Sequence, residues 1–99
     1  MALETTKWDV VDHLKTDEDI AYFLEAVFED GDPALITAAL GDVARAKGMT
    51  QLAKDTGLAR EALYRSLSAE GKPEFTTVLK VMRAFGLRLA AVPLDDEAA

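Results

Sequence analysis

The chain has 99 residues, 49% of them hydrophobic, no cysteine, and a formal net charge of −7. That apolar content suits one small folded domain and argues against a disordered chain, while the missing cysteine excludes disulfides and cysteine-based zinc sites. No apolar run approaches the roughly 18 to 20 residues that span a bilayer, and the N-terminus has no basic stretch leading into an apolar one, so the expectation is a cytoplasmic protein without membrane contact.

In chain order, residues 1–16 read as an N-terminal arm, with Trp8 laid onto the body and a short helical turn from Asp9 through Val10, Val11 and Leu14. Asp17-Glu18-Asp19 places negative charge where a helix N-terminus favours it. Behind it, Ile20, Phe23, Leu24, Val27 and Phe28 recur at i, i+3, i+4, i+7 and i+8, which predicts an amphipathic helix to about Glu29. Asp32 as N-cap and Pro33 at the first position start a second helix, with Ile36, Ala39, Leu40, Val43 and Ala44 inward and an end at Lys47-Gly48. Thr50 is the expected cap of a third helix that stops at Gly57. A fourth runs from about Ala59 to Ser68, and a fifth carries Val78, Leu79, Met82 and Phe85 to Gly86. Leu87-Arg88-Leu89-Ala90-Ala91-Val92-Pro93 is partly alternating and predicts a strand. A lone strand leaves its backbone groups unpaired, so its expected partner is the same strand of a second copy, through Leu87, Leu89 and Ala91, the alternative being an extended tail packed on its own domain.

Charge is unevenly divided. Residues 1–36 hold ten acids and two lysines, residues 37–92 hold nine bases and five acids, and the tail adds Asp95, Asp96 and Glu97. Attraction to a polyanion depends on the local field, so the total does not exclude a nucleic-acid partner.

The positive half contains residues 50–68, which look like a helix-turn-helix. Ala53 is the small residue that lets a second helix approach, Gly57 takes the turn, and Leu52, Leu58, Leu63 and Leu67 lock the pair. At about 100° per residue, Arg60, Glu61, Tyr64, Arg65 and Ser68 share an arc of about 140° opposite Ala59, Ala62, Leu63, Ser66 and Leu67. Arginine pairs bidentately with guanine and glutamate accepts from the cytosine amino group. Tyr64 suits a thymine methyl or a phosphate, and Glu61 either reads a base or orients Arg65 at i+4. Gln51 is placed for a backbone phosphate or for support of the recognition helix, with Lys54 and Lys72 as phosphate contacts.

Other chemistry is poorly represented. His13 is the single histidine, no nucleophile-elbow glycines flank Ser66 or Ser68, and Asp17-Glu18-Asp19 point in different directions around a helix, which is poor geometry for one cation. The glycines are scattered singly and form no phosphate-binding loop. The expectation is a non-enzyme with no catalytic residues, metal or cofactor.

Several runs then make a resemblance specific. Ala44-Arg45-Ala46-Lys47-Gly48-Met49 leads into Ala53-Lys54-Asp55-Thr56-Gly57-Leu58, followed by Arg60-Glu61-Ala62-Leu63-Tyr64, Gly71-Lys72-Pro73-Glu74-Phe75, Thr77-Val78-Leu79-Lys80-Val81 and Gly86-Leu87-Arg88-Leu89. Together with Asp19-Ile20-Ala21-Tyr22-Phe23-Leu24 and Gly31-Asp32-Pro33-Ala34, they resemble the addiction-module antidote proteins, a branch of the repressor-like helix-turn-helix superfamily that includes HigA-type antitoxins, over roughly residues 9 to 92. The resemblance implies a dimeric antitoxin that binds operator DNA, represses its own operon and neutralises a small basic toxin of the RelE/HigB-like type. It carries DNA contact to Arg60, Glu61, Tyr64 and Arg65. Ala59 departs from the pattern, where the family commonly has a capping serine.

The expected architecture is all-α, a five-helix repressor-like domain with a short C-terminal strand pairing across a dimer. It divides into the arm at 1–16, a DNA-binding domain at 17–86, the strand at 87–93 and an acidic tail at 94–99. The alternatives are a free-standing, phage-derived transcription regulator, and a protein-interaction module whose helix-turn-helix no longer binds DNA.

Overall fold

The computed structural model describes residues 13–94, and these form five helices: α1 (Asp17–Asp30), α2 (Pro33–Lys47), α3 (Met49–Thr56), α4 (Arg60–Ser66) and α5 (Phe75–Ala84). The expected turn at Asp9 and the docking of Trp8 lie outside the described residues, as does the end of the acidic tail. No described helix is long and apolar enough to cross a membrane.

Local chemistry explains most of the boundaries. Thr16 begins α1 with a capping box: its hydroxyl accepts from the Asp19 N–H at 3.0 Å, and the Asp19 carboxylate accepts from the Thr16 N–H at 3.1 Å and the Lys15 N–H at 3.2 Å. Those two backbone donors, Thr16 first, hold the Asp19 carboxyl below its ordinary pKa. Gly31, at φ 81°, ends the helix. Asp32 caps α2 through the Ala34 N–H at 3.0 Å, with Pro33 in the first position. Thr50 does not cap α3. Gly48 ends α2 and starts α3 at φ 106°, and its own N–H donates to the Ala44 carbonyl at 2.8 Å, so α3 is capped two residues earlier than the sequence suggests.

One core unites the helices. Ile20, Leu24 and Val27 of α1 meet Leu40 and Val43 of α2, while Leu52 of α3, Leu63 of α4, Leu67, and Val81 and Phe85 of α5 close the other side. The most deeply buried side chains are Phe85, Leu24, Leu40, Leu63, Val43 and Val81. α1 lies on α2, and α3 touches α2, α4 and α5. Buried Asp42 is held by Arg45 one turn along α2. Two positions expected inward, Phe28 and Leu79, are more than a third exposed.

α2 approaches Leu67 so closely that a side chain at Gly41 has no room: a Cβ there would lie 2.2 Å from the Leu67 carbonyl oxygen. Gly41 is the small residue on which this approach of α2 to Leu67 depends, while Ala53, expected to let α4 approach α3, is half-buried against the core.

The C-terminal segment is not a strand. Among the described residues 87–94 form no regular element. The Leu87 N–H donates to the Met82 carbonyl at 3.0 Å and the Gly86 N–H to the Arg83 carbonyl at 2.9 Å, with Gly86 at φ 85°. This is a Schellman end to α5, in which the residue after the glycine packs back on the helix. Leu87 is accordingly half-buried against its own core, whereas Leu89 and Ala91 are exposed and have no ladder partner among the described residues.

Candidate nucleic-acid interface

α3 and α4 are joined by a tight turn at residues 57–59. Gly57 takes φ 77°, with its N–H on the Ala53 carbonyl at 2.9 Å. Thr56 then fastens the turn: its hydroxyl donates to the Leu52 carbonyl at 2.8 Å and accepts from the Leu58 N–H at 3.2 Å. Bonding to the i−4 carbonyl is a common threonine habit, but residue type alone does not reveal that the same hydroxyl also accepts from the Leu58 N–H. Ala59 is extended and starts α4 with no side-chain cap, and it is exposed instead of packing with Ala62 and Leu63. Leu63 is fully buried and anchors the helix from its inner face.

The loop after α4 folds back over its end. The Gly71 N–H donates to the Ser68 carbonyl at 2.9 Å, and a Cβ at Gly71 would lie 2.3 Å from the Ser66 carbonyl oxygen and 2.6 Å from that of Arg65. The fold-back creates an open groove of about 580 Å³ between α4 and the start of α5, bordered by Arg65, Ser68, Lys72, Glu70, Glu74 and Thr77.

All eight residues singled out from the sequence are exposed: Gln51, Lys54, Arg60, Glu61, Tyr64, Arg65, Ser68 and Lys72. The structure brings Arg65, Ser68 and Lys72 to the one groove, whereas Arg60, Glu61 and Tyr64 lie outside its lining. The Arg60 guanidinium lies 5.6 Å from the centre of the Tyr64 ring and donates to its hydroxyl at 3.5 Å, which biases the arginine along the helix. Gln51 donates to Asp55 at 2.9 Å, and the Ser68 hydroxyl donates to the Arg65 carbonyl at 3.1 Å, so Ser68 closes the helix end as well as facing outward. Glu61 and Arg65 form no ion pair, so of the two alternatives for Glu61 the i+4 pairing is not made, and both side chains are left for an external partner.

The ion pairs among the described residues are Asp42–Arg45 and Asp17–Lys47, the latter at 3.7 Å. They engage the two bases nearest the acidic segment. Lys54, Arg60, Arg65 and Lys72 have no carboxylate partner, so the field of the α3–α4 region keeps its cations uncompensated by direct pairing. Among the described residues no group of histidines and carboxylates is arranged to hold a metal ion.

An exposed cationic and aromatic face on a small all-helical domain is the arrangement of a binding module. Residues 4–93 match the family described as "Probable addiction module antidote protein", and the chain belongs to that family. A protein of Haemophilus influenzae that bears the name "Uncharacterized protein" is 43% identical over 88 residues, covering 89% of this chain and 91% of its own. No solved structure matches the chain. The family membership suggests an antidote role in an addiction module, and such a role implies a toxin partner.

Proposed function

We propose that this protein is a cytoplasmic antitoxin that binds operator DNA as a dimer, represses its own operon and neutralises a small basic toxin of the RelE/HigB-like type. α3 and α4 act as the helix-turn-helix of a repressor-like domain spanning residues 17–86. α4 enters the major groove, with Arg60, Glu61, Tyr64 and Arg65 toward base edges. Gln51, Lys54, Ser68 and Lys72 contact the sugar-phosphate backbone on either side.

The observation that carries this reading is the two-sidedness of α4: Leu63 is fully buried while Arg60, Glu61, Tyr64 and Arg65 all face solvent, on a helix set by Gly57 and the Thr56 clamp. The acidic N-terminal half complements a basic toxin electrostatically, which favours fast encounter. The test has two arms. The purified chain is titrated against its own promoter fragment by gel retardation, and it is co-expressed with the adjacent reading frame. Retardation together with co-purification of a small basic neighbour is expected; no retardation at low salt would defeat the repressor reading, and no association would defeat the antitoxin one.

A further inference from the structure

One apolar surface is not used by the core or by the residues of the proposed DNA face, although Glu74 at its edge also borders the groove. On α5, Phe75 is 66% and Leu79 40% exposed, and with Arg83 they form a ridge spaced at i, i+4 and i+8. Glu74 stands at the helix start beside Phe75, so the ridge has an acid and an aromatic at one end, a leucine in the middle and a guanidinium at the other. None of these charged groups has an ion-pair partner among the described residues.

We infer that this ridge is where two copies of the chain meet, packed antiparallel about a two-fold axis at Leu79. This rests on the dimeric part of the proposed function and names its surface. The charge order favours a second copy of this chain. In an antiparallel pair, Leu79 meets its counterpart, the Phe75 ring receives the other copy's Arg83 guanidinium, and Glu74 lies within reach of the same cation. A parallel pair would set Arg83 against Arg83 and Glu74 against Glu74. Ridges of i+4 spacing interlock in the commonest class of helix packing.

The tail extends the contact. It leaves the Schellman turn at Leu87 with Leu89, Val92 and Leu94 exposed, the last two by 80% and 90%. Seven extended residues reach roughly 23 Å, more than the ~15 Å length of α5. In the antiparallel arrangement each tail starts beside the N-terminal end of the other copy's α5. Laying its apolar residues there adds buried apolar surface to the ridge contact.

Because the chain has no cysteine, Leu79→Cys introduces a single thiol that forms a disulfide only where two Cα atoms come within about 7 Å. The full-length variant is oxidised at low micromolar concentration beside Tyr22→Cys, on the solvent face of α1, and the parent chain is sized by sedimentation equilibrium. The expected result is a dimeric parent, nearly complete covalent dimer for Leu79→Cys, and at least tenfold less for Tyr22→Cys. A dimeric parent whose Leu79→Cys variant crosslinks no better than Tyr22→Cys overturns the surface but leaves the dimeric repressor standing. A monomeric parent overturns both, whereas loss of promoter binding alone touches only the DNA reading. Arg83→Glu should weaken self-association at least tenfold, and adding Glu74→Arg should restore it; failure of the charge swap to restore a dimer contradicts the antiparallel order.

Discussion

Replacing Gly41 with alanine isolates the contact that sets α4 on the body of the protein. The added Cβ would stand 2.2 Å from the Leu67 carbonyl oxygen and 3.3 Å from its carbonyl carbon, both backbone atoms that no rotamer change can move aside. Relief requires α2 and the Leu67 segment to separate by roughly 1 Å, and because both atoms are backbone the strain falls in the upper part of the overpacking range, about 2–3 kcal/mol. Alanine recovers about 1 kcal/mol of helix propensity over glycine, so a net loss of about 1–2 kcal/mol remains. For a domain of this size each kcal/mol moves the melting temperature by roughly 4–8 °C. Thermal unfolding followed by circular dichroism should place Gly41→Ala about 4–16 °C below the parent. Because Leu67 follows directly on α4, operator affinity should also fall under conditions where the variant remains folded. A melting temperature equal to or above the parent's would refute the close approach of α2 to Leu67.

Three further predictions follow the same physics. Ala59→Ser gives α4 the side-chain cap that it lacks and should stabilise the domain by about 1 kcal/mol, read as a raised urea midpoint with unchanged m-value. Gly57→Ala meets no neighbour within 4 Å, so its cost is only the left-handed backbone, about 1–2 kcal/mol; its destabilisation should survive in Gly57→Ser but shrink in Gly57→Asn. Asp19 has a lowered carboxyl pKa through the Thr16 and Lys15 N–H groups, so its stabilisation is present above the unfolded pKa of about 4 and is lost as pH falls through the lower folded value. Comparing acid unfolding of the parent with Asp19→Ala should show the two stability curves converging at low pH, and a constant gap would contradict the capping box.

Much of the fold that depends on neighbouring residues in sequence was legible, with local exceptions at Thr16, Thr50 and Leu87, and the parts that depend on distant segments were not. Asp32-Pro33 and Gly57 act through local backbone chemistry, so they marked helix ends correctly. Thr16 was overlooked because Asp17-Glu18-Asp19 already accounted for a helix start by charge, although Asp19 is also the third-position partner of a capping box. Thr50 looked like a cap because one glycine serving two helices leaves no polar signal. Gly41 is indistinguishable in sequence from any mid-helix glycine until Leu67 is known to cross it. The alternation of Leu87, Arg88 and Leu89 imitated a strand because a Schellman end also demands an apolar residue just after its glycine.

For the candidate site, periodicity on α4 was enough to place Arg60, Glu61, Tyr64 and Arg65 outward. The grouping of Arg65, Ser68 and Lys72 around one groove depends on the fold-back at Gly71, which helical periodicity does not encode.

The central claim is that the outward face of α4 reads operator DNA, and a promoter titration with Arg60→Ala and Arg65→Ala tests it most directly, with each variant's melting temperature measured in the same buffer. If each arginine makes a base contact, each substitution should weaken specific binding by roughly 1–3 kcal/mol and relax preference at its own base pair. The melting temperature should stay within a few degrees of the parent's, since both side chains are exposed. Undiminished, equally selective promoter binding by both variants would contradict the account.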